Sequence, residues 1–136
     1  MNNGDRNTQN RVFQKISNIQ NSIAGLKKDG INRFQNYKFF SKEQVLNKLK
    51  PLFEEQKLLV IISDSEMTAE YSHHEKEYAV KFLKKIKIID LEDTNFEVDL
   101  CFWALGSNTE LAKAKGSADS YAMKNFLSEI FLMLAE

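Results

Sequence analysis

Apolar residues recur along this chain in two rhythms, one near 3.6 residues and one of two. From Val12 they fall at Val12, Ile16, Ile19, Ile23 and Leu26, a narrow stripe that predicts a first helix. Residues 1–9 before it are polar and aperiodic and read as a disordered arm, leaving 10–136 as one folded domain. Residues 30–40 form an aromatic, basic connector. Ser41 can cap a second helix, with Gln44 completing a capping box and Val45, Leu46, Leu49, Leu52 and Phe53 supplying its buried face. Pro51 within that pattern removes a backbone donor and predicts a bend.

Period two takes over next. Residues 58–62 predict a short apolar strand, and Met67, Ala69 and Tyr71, alternating with polar neighbours, a second, half-exposed one. In 78–89 the even positions Tyr78, Val80, Phe82, Ile86 and Ile88 are apolar, Lys84 is the one break, and Lys81, Lys85 and Lys87 point the other way. In 95–104 the apolar set is Phe96, Val98, Leu100, Phe102 and Ala104, with Glu97, Asp99 and Trp103 opposite. A hairpin centred on Glu92 sets Lys87 against Glu97, Lys85 against Asp99 and Lys81 against Trp103, two ion pairs and a cation–π contact.

The last element, 109–134, is helical. Ala114, Ala118 and Ala122 recur every fourth residue and let the helix lie close against a sheet, with Phe126 and Ile130 continuing the row. Lys113, Ser117, Ser120 and Lys124 form a polar stripe on the opposite face, on the order of 16 Å long. The expected fold is α+β: an antiparallel sheet of three to four strands packed with an N-terminal helix pair and a long C-terminal helix. The apolar faces at 12–26 and 126–134 exceed what one small domain buries, which predicts a homo-oligomer larger than a dimer.

Composition narrows the function. The 136 residues are 43% hydrophobic and 28% charged, enough apolar surface for a core of one domain. No apolar run approaches the ~20 residues that span a bilayer, and the opening residues carry no secretory or myristoylation pattern. The single cysteine, Cys101, fits a reducing cytoplasm. Net charge is zero but segregated: residues 1–50 hold ten Lys/Arg against three Asp/Glu, whereas 91–110 hold five acids and no base. Either such blocks pair within the fold or they create local fields for a charged ligand.

Catalytic signals are thin. There is no glycine-rich phosphate loop; His73 and His74 are adjacent and, on a strand, face opposite sides; Cys101 has no histidine nearby in sequence. Glu97 and Asp99, at i and i+2, share a strand face and are the basis for an alternative reading as a small Mg²⁺-dependent nuclease, although the hairpin register sets lysines against them. A third reading is a non-catalytic oligomeric accessory protein. The basic-aromatic features point to nucleic acid, because cations follow phosphates and flat rings stack on unpaired bases. Arg33, Tyr37 and Lys38 in the connector, Lys81 on the third strand, and Lys113, Lys115 and Lys124 on the last helix are the candidates. No metal ligands and no cofactor are expected.

Two segments are familiar together. Residues 113–124, Lys-Ala-Lys-Gly-Ser-Ala-Asp-Ser-Tyr-Ala-Met-Lys, resemble the signature of the ERF (essential recombination function) family of phage single-strand annealing proteins, roughly K-A-x-G-K-A-x-[ST]-Y-A-x-K-Y. Asn36-Tyr37-Lys38-Phe39, followed by Val45, Leu49, Pro51, Leu52 and Glu55, resembles that family's N-terminal block. The resemblance spans residues 12–134. Ser117 and Asn125 stand where the family commonly has lysine and tyrosine, and Leu111 and Ala112 where it has a Gly-Asp pair. The resemblance implies a protein of the bacterial host cytoplasm that assembles into rings or filaments, holds single-stranded DNA and pairs it with a complement without ATP. A phage exonuclease or a single-strand-binding protein is the partner it implies.

Overall fold

The two rhythms fold into two layers, a sheet and a set of helices on one of its faces. A computed structural model describes residues 3–23, 30–32, 37–39 and 41–133, with the side chains of 11–23 and 41–133. In chain order the elements are α1 (Asn3–Ser22), β1 (Gly30–Asn32), β2 (Tyr37–Phe39), α2 (Lys42–Glu55), β3 (Leu58–Ser72), β4 (Glu77–Asp90), β5 (Glu97–Asn108) and α3 (Leu111–Ile130). The result is an α+β fold with a three-stranded antiparallel meander, β3-β4-β5. β1 and β2 pair as a separate two-stranded ribbon inside the segment read as a connector. Leu26, Arg33, Phe34, Asn36 and Phe40 lie outside the described residues.

The alternation of β4 and β5 is observed. Val80, Phe82, Ile86 and Ile88 are buried: Ile86 and Ile88 share one core with Ile19, Val45, Leu49, Met123, Leu127 and Phe131, and Val80 and Phe82 a second with Ala104, Ala114 and Ala118. Ser41 caps α2 as expected, its Oγ accepting from the Gln44 N–H at 3.0 Å, and Pro51 lies inside that helix.

Several boundaries differ for physical reasons. α1 starts at Asn3, so residues 3–9 extend the helix where a disordered arm was expected; once a stripe anchors a helix, each polar residue added gains a backbone bond without needing burial. The segments read as two strands at 58–62 and 67–71 are one strand with a bulge: Ser65 pairs with Leu83 but Thr68 with Lys81, and Glu66 has φ 54°. The extra residue flips the inward parity from even to odd, which is why the pattern looked broken. α3 stops at Ile130, where the Met133 N–H bonds the Ser128 carbonyl and Leu132 takes φ 53°, the left-handed end of a Schellman-type cap. This turn folds Phe131 and Met133 back into the core, and Val12 and Ile19 are buried too. Part of the apolar surplus that pointed to an oligomer is therefore buried inside the chain. Exposed apolar residues remain, among them Phe13 on α1, Leu132 after α3, Leu59, Ile61, Ile62 and Met67 on β3 and Trp103 and Leu105 on β5.

Two contacts pin the layers. β5 carries Gly106 directly under α3: a Cβ there would lie 2.7 Å from the Ala118 nitrogen and 2.8 Å from the Ala114 carbonyl oxygen. Ala114 and Ala118 are wholly buried, as the small-residue row predicted. At the far end of β4, the fully buried Asp90 accepts from Arg11 Nε and Lys15 Nζ, each at 2.7 Å, and Lys15 reaches Glu92 at 2.7 Å as well. Here a basic block does pair with an acidic one.

Gly106→Ala should cost about 1–3 kcal/mol, because backbone atoms of α3 must move, whereas Gly116→Ala, with open space around it on the same helix, should gain up to about 1 kcal/mol. Chemical denaturation of the two variants distinguishes them, and equal stabilities would refute the close approach. Burial alone would raise the Asp90 carboxyl, but bonds from Lys15 and Arg11 hold it below the usual carboxylate range. Such a group adds stability above its unfolded pKa, about 4, and loses it as pH falls through the folded value. Burial alone would lower Lys15, but Asp90 and Glu92 raise it, so its contribution is present below about pH 10 and is lost as pH rises past the folded value. Asp90→Asn should lower stability at neutral pH by about 3 kcal/mol, because the buried Lys15 keeps only the half-exposed Glu92 as a charged partner, and make the acid fall shallower; an unchanged acid limb would contradict this.

Candidate nucleic-acid interface

β4 places its even side chains under the helices, so Lys84, the one break in that apolar set, enters the interior at 5% exposure. Its ammonium pairs with Asp64 of β3 at 2.8 Å and with Asp119 of α3. Asp119 also takes Lys42, at the start of α2, at 3.0 Å, and Asp64 takes Lys115 at 2.8 Å. Burial opposes charge on Asp64, Asp119 and Lys84. Hydrogen bonds outweigh it, holding Asp64 and Asp119 below the usual carboxylate range and Lys84 above its ordinary value. Two helices and two strands are thereby joined through charge. Lys115, a sequence candidate for DNA, is part of this cluster, and its ammonium also lies 4.5 Å from the Phe82 ring centre.

The opposite face of the sheet carries Lys81, Lys85 and Lys87. The hairpin register differs from expectation by two residues: Lys87 is opposite Asp99, Lys85 opposite Cys101 and Leu83 opposite Trp103. The Asp90 and Asp93 side chains each accept a backbone N–H two residues on, and the turn they shape is centred one residue later. Two expected contacts nonetheless form on the diagonal. Lys87 reaches Glu97 at 3.6 Å, and Lys81 sits 4.4 Å from the Trp103 ring centre. Glu97 thus faces a lysine, and the described residues hold no group of three or more metal-ligating side chains. Cys101 is exposed, and His73 and His74 lie in the β3–β4 turn, not on a strand.

Of the remaining candidates, Lys113 is exposed and pairs with the equally exposed Glu110 at 3.2 Å, an interaction of little strength. Lys124 sits 4.4 Å from the Tyr121 ring centre. Tyr37 and Lys38 are on β2, where the backbone alone is described, and Arg33 lies outside the described residues. Lys81 and the α3 lysines stand on different sides of the sheet. They do not form one stripe.

What relates Lys81 to Lys124 is a cleft along the free edge of β5. It has a volume of about 280 Å³ and is walled by Phe102, Trp103 and Leu105 on the strand and Tyr121, Asn125 and Glu129 on α3. Phe102 and Phe126 stack at its floor with ring centres 3.8 Å apart. Trp103 and Tyr121 are about half exposed, and each carries a lysine over one ring face. Exposed rings beside cations are the parts that hold unpaired bases and their phosphates. The cleft was missed in the sequence because its walls come from two elements. The signal for one wall was present: Tyr121, Asn125 and Glu129 fall at four-residue intervals.

No curated protein matches the chain in a sequence search. The profile of the ERF superfamily matches residues 12–136, from the first buried position of α1 through β3, β4 and β5 to the end of the chain. By that match over nearly its whole length, the chain belongs to the ERF superfamily, whose members act in phage-type single-strand annealing and recombination.

Proposed function

We propose that this protein binds single-stranded DNA and anneals it to a complementary strand as a homo-oligomeric ring or filament, without ATP, metal or a catalytic step of its own. The observation that carries this is the family match over residues 12–136. The geometry supports it with the solvated face of α3, where Lys113 and Lys124 lie three turns apart with Ser117 and Ser120 between them, and with the aromatic cleft beside that face. Assembly is supported by the two edges of the sheet, β3 and β5, which pair with no further strand among the described residues and both bear exposed apolar side chains. An apolar groove of about 520 Å³ between α2, β3 and α3 adjoins the β3 edge. The setting is a bacterial host cytoplasm, with a phage exonuclease or a single-strand-binding protein as its companion; no helix among the described residues is long and apolar enough to cross a membrane.

Labelled complementary oligonucleotides, incubated with the protein with and without Mg²⁺, test this reading. Duplex formation faster than the spontaneous rate is expected. Fragments would favour a nuclease at Glu97 and Asp99, and no change an accessory role. Light scattering should give a mass several times 15.8 kDa, and a stable monomer in the presence of oligonucleotide would refute the assembly. Lys113→Ala and Lys124→Ala should weaken binding to all sequences alike and each flatten the log–log salt slope by about 0.7, the value for one lost phosphate contact on a single strand.

A further inference from the structure

The cleft at the β5 edge holds more than rings. Tyr121, Asn125 and Glu129 form one row on α3, so the helix wall runs from an aromatic face to an amide and then to a carboxylate. Neither the Asn125 amide nor the Glu129 carboxylate has a hydrogen-bond or ion-pair partner among the described residues; the one bond recorded at Asn125 is to its backbone carbonyl. Across from them stand Phe102, Trp103 and Leu105. The ammonium groups of Lys81 and Lys124 lie over Trp103 and Tyr121, yet neither lysine lines the cleft. Each ring therefore has a cation on one face and contributes other surface to the cleft.

We propose that this cleft is a nucleobase subsite in which Asn125 and Glu129 read the edge of one stacked base and favour bases with an exocyclic amine over thymine. The proposal rests on the single-strand reading above and adds a specificity to it. A stacked base would occupy the ring surface inside the cleft, and its phosphates would lie toward the lysines outside. The edge of that base then meets the two polar groups of α3. An ionised carboxylate only accepts hydrogen bonds. Cytosine, adenine and guanine each offer it an amine, whereas thymine offers carbonyl oxygens on both sides of its single ring N–H and sets lone pairs against lone pairs. Asn125 both donates and accepts, so it holds any base, and the discrimination falls to Glu129. A base held by its edge is also withheld from pairing. Each protomer would anchor one nucleotide and leave its neighbours free for a complement.

Trp103 is the only tryptophan, so its emission reports on the cleft directly. The experiment titrates the full chain with labelled oligo-dC and oligo-dT of equal length at neutral pH, following label anisotropy and Trp103 emission together. Oligo-dC should bind more tightly by on the order of fivefold to tenfold, the low end for one good base contact at an exposed site, and should change Trp103 emission. Glu129→Gln, at an exposed position, should fold normally and bring the two affinities together, because its amide donates to thymine as readily as it accepts from cytosine. The ratio is the readout, since removing a negative charge strengthens binding to every oligonucleotide. Equal wild-type affinities, a preference that survives Glu129→Gln, or tight binding that leaves Trp103 emission untouched each overturns the subsite and leaves single-strand binding standing. No anisotropy change with either oligomer overturns both.

Discussion

Helix α3 lies at backbone distance from β5, and the candidate interface depends on that contact. The approach exists because Gly106 meets Ala114 and Ala118, so no side chain on the strand and only methyl groups on the helix separate the two. Close approach at this end sets where the rest of the helix lies. Further along, larger residues fill the widening gap, with Met123 and Leu127 buried and Phe126 stacked on Phe102. Tyr121 is thereby carried to the β5 edge near Trp103. A bulkier residue at position 106 would tilt the helix and open the cleft far from the substitution itself.

Beside this apolar contact the fold contains a charged one whose logic is different. Lys84 occupies a position that the sheet pattern reserves for an apolar residue, and its removal from water is offset only because Asp64 and Asp119 both reach it. Ion pairs of this kind contribute little net stability against a well-packed apolar alternative, but losing one partner is costly. Their effect is on geometry. An apolar interface between a helix and a sheet tolerates sliding, while a lysine shared between two carboxylates on different elements has one arrangement that satisfies it. The alanine contact sets the distance between α3 and the sheet, and the Lys84 cluster sets its register along β4.

The regular parts of this architecture were legible in the sequence, and the parts made by two elements at once were not. The burial of 80, 82, 86 and 88, the Ser41 cap and the alanine row all follow from local periodicity and local chemistry. The β3 bulge was hidden because one extra residue reverses the inward parity, so a single strand reads as two. The hairpin register was off by two because the Asp90 and Asp93 side chains shape the turn, and a symmetric turn takes no account of them. The ion pair of Lys115 was not legible because its partner, Asp64, is remote in the chain and comes close only through the sheet. Trp103 and Tyr121 were each visible, but nothing local says that a strand edge and a helix row become two walls of one cleft.

The distribution of charge gives the interface its character. A net charge of zero is compatible with binding a polyanion because charges are paired within the fold, Asp90 with Arg11 and Lys15, and Asp64 and Asp119 with Lys84 and its neighbours, so a ligand meets the local distribution at the surface and not the net figure. Around the cleft stand Lys81 and Lys124, each lying over a ring, and the exposed Glu129 carboxylate lines it. Few phosphate contacts give modest, salt-sensitive affinity that is the same for every sequence. That would suit the proposed annealing role, in which a strand is held long enough to align and is then released as duplex. A deep basic channel would bind more tightly and would resist release. An open cleft that grips through ring faces loses its hold once a base pairs and stacks within a helix, because stacking in the duplex removes the face that the rings had bound. On the proposed annealing reading, pairing itself would drive release.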